Sequence, residues 1–103
     1  MELIKKDSCG IEINYIEMGK LEWLLQEAKI PYRIDYVIGM PSVRYYGHGE
    51  NLICDAICHN GSYGHEEGLL EIMGLTRNGD SVEGWLTSEE VFDRISEDWN
   101  KGN

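Results

Sequence analysis

From Met18 onward, apolar positions recur at helical spacing. Met18, Leu21, Leu24, Leu25 and Ala28 fall on one face, and Lys20, Glu22, Glu27 and Lys29 fall away from it. The pattern predicts a helix over 18–29, stopped by Pro31, because the residue before a proline avoids the α region. Upstream, Ile11, Ile13 and Tyr15 alternate with Glu12 and Asn14, the trace of a short strand; the rest of the first sixteen residues follows neither period.

After Pro31 the period changes to two. Tyr32, Ile34, Tyr36 and Ile38 share one face of a strand over 32–38, and Arg33 and Asp35 share the other. Gly39-Met40-Pro41 is a turn signal. A second strand follows over 42–46, with Val43 and Tyr45 on one face, and Gly47-His48-Gly49 turns again. The run 52–58 is apolar on both faces except at Asp55, which marks it as the central or best-covered strand. Short connections imply antiparallel pairing, since parallel strands need long crossovers.

A second helix is read from His65 through Leu69, Leu70, Ile72 and Met73, with Gly74 as its C-cap. Thr87-Ser88-Glu89-Glu90 is a capping box that opens a third helix from Ser88 to Asn100, with Val91, Phe92, Ile95 and Trp99 as its apolar stripe. The predicted fold is therefore α+β: a helix, a three-stranded antiparallel meander (32–38, 42–46, 51–58), then two helices, in a single domain over 1–103. The expected core contains Leu21, Leu25, Ile34, Tyr36, Ile53 or Cys54, Ile57, Leu69, Leu70, Phe92 and Ile95.

Charge narrows the possible partners. The formal net charge is −10, and residues 65–103 carry ten acids against three bases. Such a field repels nucleic-acid backbones and anionic membranes, and suits a basic protein partner or simple solubility. No stretch reaches the ~18 apolar residues of a membrane span, and the first residues lack the apolar run of a signal peptide. Three cysteines, Cys9, Cys54 and Cys58, form no disulfide framework, so a reducing, cytosolic setting is expected, with the thiols reduced and metal-free.

The candidate chemistry centres on Asn60 to Gly74, a glycine-rich loop after an apolar strand. The backbone N–H groups of Gly61-Ser62-Tyr63-Gly64 and the Ser62 hydroxyl suit a phosphate or carboxylate, with Tyr63 stacking on a ring. The same residues also build a tight turn, and Glu66 and Glu67 would repel an anion. The P-loop lysine and the G-x-G-x-x-G spacing are absent. Arg44 with its tyrosine neighbours offers a cation-plus-aromatic face, and Trp85 either staples the third helix or walls a pocket beside Tyr63. Cys54, Cys58, His59 and His65 match no common zinc spacing, and on a strand Cys58 and His59 face opposite ways. No nucleophile, metal set or acid–base pair stands out, so the chain is read as a non-enzyme without a cofactor.

The blocks EMGKLEWLLQEAKIP (17–31), SYGHEEGLLEIMGL (62–75) and SVEGWLTSEEVF (81–92) resemble a family of small proteins of phages and prophages of Gram-positive bacteria. The family brings no chemistry with it. The resemblance implies a phage accessory role in the host cytoplasm, of the kind that counters host defence. Two functions are expected from different classes. One is sequestration, without cleavage, of a small anionic nucleotide-like messenger at Arg44, Ser62, Tyr63, Gly64, His65 and Trp85. The other is an acidic, DNA-mimic-like inhibitor masking a basic site on a host defence protein. A small sheet with two edges and ten aromatic residues also points to a homo-oligomer.

Overall fold

The computed structural model describes residues 4–6 and 12–102. The elements run β1 (Ile4–Lys6), β2 (Glu12–Asn14), α1 (Ile16–Glu27), β3 (Arg33–Val37), β4 (Met40–Tyr45), β5 (Cys54–Ile57), a 3₁₀ turn (His65–Glu67), β6 (Leu70–Met73), β7 (Val82–Leu86) and α2 (Ser88–Lys101). The α+β class and the antiparallel meander stand, but the meander has five strands, in the order β3-β4-β5-β6-β7. β5 is its centre, the first of the two places, central or best-covered, that its apolar run allows. β1 and β2 form a separate antiparallel pair; Ile11 and Cys9 lie outside the described residues.

The predicted second helix does not form. After a single 3₁₀ turn, the chain runs extended, with Leu70 and Ile72 inward and Glu71 and Met73 toward the other face. The stretch between Gly68 and Gly74 is too short for an α-helix, and two apolar pairs fit both periods. Gly74 is not a C-cap. It ends β6, and a β-carbon there would collide with the Ile53 carbonyl oxygen. The other unpredicted strand, β7, hides behind a bulge: two residues lie between Glu83 and Leu86, while one lies between their partners Ile72 and Leu70.

The registers sort the side chains. Ile34, Val43, Ala56 and Ile72 line up across one face; Arg33, Arg44, Asp55 and Met73 line up across the other. The first face carries both helices. Met18, Leu21 and Leu25 of α1 and Val91 and Ile95 of α2 pack with Val43, Tyr45, Cys54, Ala56, Leu70 and Ile72 into one core. Of the expected core, Leu21, Leu25, Cys54, Leu70 and Ile95 are buried, and Ile34, Ile53 and Phe92 are half-buried against them. Ile57 and Leu69 are also only half-buried, Ile57 because strand alternation turns it to the open face. Tyr36 is 58% exposed, near the end of the edge strand.

Polar bonds fix the helices. The Thr87–Glu90 capping box forms as read. The first backbone N–H of α2, on Ser88, donates to Glu17 Oε2 at 2.9 Å, so α1 satisfies an orphan donor of α2. The Tyr45 hydroxyl donates to Asp98 Oδ2 at 2.7 Å. Arg94, 9% exposed, donates through Nη1 to Glu83 Oε1 at 2.6 Å and through Nη2 to Oε2 at 2.9 Å. Among the described residues, no helix is long and apolar enough to cross a membrane.

The Arg94 fork, joined by the Arg77 backbone N–H, holds the Glu83 carboxyl down at about 2, against an ordinary 4.5. The folded state thus favours ionised Glu83. Its stabilisation is complete above about 4.5 and disappears as pH falls through about 2. Glu83→Gln is expected to lower the unfolding free energy by about 2 kcal/mol at neutral pH, the size of a hydrogen bond to a charged group. It should also flatten the acid limb of stability. Urea unfolding across the acid range checks both.

Candidate functional site

The chain leaves β5 at Ile57, turns through Gly61 to Gly64, and meets β7 before entering β6. Trp85 N–H donates to the Tyr63 carbonyl at 3.2 Å, and Tyr63 N–H donates to Glu71 Oε1 at 3.0 Å. The bulge in β7 makes this contact possible. It places Glu83 and Leu86 toward the core and turns Trp85 outward with φ of 55°. Trp85 then stacks on Tyr63, ring centroids 5.5 Å apart and 22° between planes. Both rings stay more than half exposed, at 56% and 57%.

Two glycines permit the docking. A β-carbon on Gly84 would collide with the Tyr63 side chain and stand 2.6 Å from its carbonyl oxygen. A β-carbon on Gly64, which has φ of +99°, would stand 2.9 Å from Trp85 N and 3.2 Å from Leu69 Cβ. Gly64 therefore makes room for β7; a close ligand is not needed to explain it.

Ser62, Tyr63, Gly64, His65, Glu66, Glu67 and Trp85 line one cleft of about 190 Å³. Five of the six residues expected at a site are thus brought together. Arg44 is not among them. It lies on β4, three strands from β7, or ~14 Å at the usual strand spacing. There it pairs with Asp35 at 3.1 Å and donates from Nε to Ser42 Oγ at 3.4 Å.

Three of the groups expected to bind an anion, the Ser62 hydroxyl and the Ser62 and Tyr63 amides, are occupied. The Ser62 hydroxyl donates to the His59 carbonyl at 2.7 Å and accepts from His59 N–H at 3.0 Å. Ser62 N–H donates to His59 O and His65 N–H to Ser62 O, while Tyr63 N–H holds the Glu71 carboxylate. His65 Nδ1 lies 2.9 Å from the Ser62 carbonyl, which can only accept, so this nitrogen carries a proton. A single 3₁₀ turn follows the loop, so no α-helix N-terminus faces the cleft. Glu66 and Glu67 are exposed at its rim. An acid-rimmed aromatic ledge suits a cation.

The other candidate chemistry disperses. Cys54 and Cys58 are buried, and burial pushes their thiols up to about 12 and about 11. Cys58 Sγ donates to the Asn14 carbonyl at 3.3 Å, and His59 Nε2 donates to the Pro41 carbonyl at 2.5 Å. A thiolate–imidazolium pair does not assemble. Among the described residues, no group of three or more His, Cys, Asp or Glu could hold a metal ion. A second cleft of about 200 Å³ lies between residues 75–77 and α2, but Glu83 and Glu97 engage its two arginines, Arg94 and Arg77. Sequence reasoning missed Glu71 and Glu83 as partners, because the strands that present them were not read.

Comparison with protein-family models, with curated proteins and with solved structures finds no match.

Gly84→Ala is expected to destabilise the fold by ~2 kcal/mol or more, since the colliding groups are Tyr63 Cβ and backbone. Gly49→Ala, with open space and no positive φ, should stay within ~0.5 kcal/mol of wild type. Urea unfolding compares the two. In the native protein, Cys54 and Cys58 should resist a thiol reagent and react only on unfolding, which mass mapping of the labelled sites reads out.

Proposed function

We propose that the protein is a binding module, and that its Tyr63–Trp85 ledge takes an arginine or lysine side chain from a basic surface of a partner protein. The carrying observation is the exposed aromatic stack inside a cleft rimmed by Glu66 and Glu67. A cation over such rings gains from the ring quadrupole, and the carboxylates add Coulomb attraction. The acidic surface continues from there. Glu89 and Glu90 stand in the first turn of α2, which begins three residues after Trp85. Glu89, Asp93 and Glu97 follow at four-residue spacing, all exposed. That field steers a basic partner toward the ledge. In the setting implied by the resemblance to small phage proteins, the partner is a host defence protein whose basic site is masked.

Sequestration of an anionic nucleotide-like ligand is the second reading. The grouping of Ser62, Tyr63, Gly64, His65 and Trp85 in one cleft favours it. The acids at the rim, the engaged Ser62 and Tyr63 amides and the distance of Arg44 weigh against it. The cleft is also smaller than the ~300–1,000 Å³ of ordinary ligand pockets.

An arginine-rich peptide and a cyclic dinucleotide are the two probes, each titrated while backbone amide shifts are followed by NMR. The peptide is expected to shift residues 62–67 and 85, and to bind more weakly as salt rises. Trp85→Ala should weaken it by about 1–2 kcal/mol, roughly five- to thirty-fold in Kd. Paired Glu66→Lys and Glu67→Lys should weaken it further. Dinucleotide binding that depends on Trp85, with no peptide binding there, would replace this reading with sequestration.

A further inference from the structure

The two edges of the sheet differ. On β7, the Tyr63 carbonyl takes the Trp85 N–H. On β3, no described strand lies alongside, and four of its five residues are exposed. The β3–β4 turn determines which backbone groups face outward. Val37 and Met40 pair across Ile38 and Gly39, whose φ values of 52° and 76° belong to a type I′ turn. In such a turn the Val37 carbonyl accepts from Met40 N–H. Direction alternates along a strand, so Val37, Asp35 and Arg33 bond to β4, and Ile34 and Tyr36 present their N–H and C=O outward. Tyr36 N–H fits this: its partner is its neighbour's Asp35 Oδ1, at 2.9 Å.

We propose that β3 pairs antiparallel with β3 of a second copy, about a two-fold axis through Ile34. The strand is self-complementary in this register. Arg33 falls opposite Asp35 of the other copy, twice by symmetry, and Tyr36 falls opposite Tyr32. A register centred on Asp35 uses the same outward groups but sets two carboxylates directly opposite, which is destabilising. The monomer leaves a matching charge imbalance. Arg33 and Arg44 are cross-strand neighbours, and Asp35 pairs with Arg44. Arg33 lies 4.9 Å over the Tyr46 ring and makes no ion pair among the described residues. The second copy supplies its carboxylate, and Asp35 releases Tyr36 N–H to the new ladder. The apolar run at the end of this edge points the same way: Tyr36 is 58%, Val37 46% and Ile38 91% exposed. A five-residue edge falls at the low end of interface sizes, so the dimer is concentration-dependent. This surface and the Tyr63–Trp85 ledge belong to opposite edges of the sheet.

Sedimentation velocity from micromolar to millimolar protein tests the association. The expected result is a shift toward twice the monomer mass. Tyr36→Pro removes an outward N–H without touching the β4 ladder, and should hold the protein monomeric with unchanged circular dichroism. Arg33→Asp alone and Asp35→Arg alone should each weaken dimerisation on the order of ten-fold, and the double swap should restore it. The swap also serves if the proline variant fails to fold. For the register, Arg33→Cys protein is mixed with Asp35→Cys protein, both carrying Cys9→Ser, and oxidised. The mixed disulfide should exceed either homodimer. A monomer at millimolar concentration overturns the proposal, as does a dominant cross-link between two Asp35→Cys chains, or a double swap that fails to restore association.

Discussion

The pairing of Arg94 with Glu83 constrains the rest of the molecule. A guanidinium on the core side of α2 is tolerable only if its charge and donors are matched. The match comes from β7, and only because β7 bulges. Without the extra residue, strand alternation would not turn both Glu83 and Leu86 to the core. The same bulge turns Trp85 outward at positive φ and brings Gly84 under Tyr63. The buried ion pair, the seat of α2 and the exposed aromatic ledge thus share one local irregularity. Burying such a pair adds little net stability, but leaving either member alone is costly, so it fixes where α2 sits.

The electrostatics of the candidate site follow from that geometry more than from the loop. A glycine-rich turn has amide donors to offer, but here the chain itself takes those of Ser62 and Tyr63, the second with the Glu71 carboxylate. In effect the loop already holds an anion, and it belongs to the chain. What remains facing solvent is aromatic and acidic. This favours recognition of a cation over a phosphate, in keeping with a chain of net charge −10.

Much of this was legible in the sequence, and the failures have identifiable causes. The capping box at Thr87 translates directly, and so do the heptad-like spacing of Met18, Leu21 and Leu25 and the two strands within 32–38 and 42–46, whose patterns define a period; only the turn between the strands shifts, to Ile38 and Gly39, with Met40 and Pro41 opening β4. Residues 69–73 do not. Two pairs of apolar residues around Glu71 fit a helix or a strand, and only the bracketing glycines argue for the strand. β7 was obscured because Gly84 and Trp85 break its alternation, though a glycine inside a short apolar run is itself a sign of a bulge. The grouping of Ser62, Tyr63, Gly64, His65 and Trp85 was legible because chain proximity and a shared turn bring them together. Arg44 lies apart because strand order, which sequence period does not encode, puts two strands between it and Trp85.

The meander joins every strand of the main sheet to its neighbour in the chain. Each hairpin therefore closes a short loop, and the ladder can grow strand by strand at small entropic expense. The helices are different. α1 precedes the sheet and α2 follows it, yet they meet, with Ser88 bonded to Glu17 across 71 residues. Loop-closure entropy rises with the length closed, so this junction is the least local step of folding. The strands do not need it to pair, but the core does. Folding thus separates into a quick local assembly of strands and a slower long-range clasp of helices that seals one side of it.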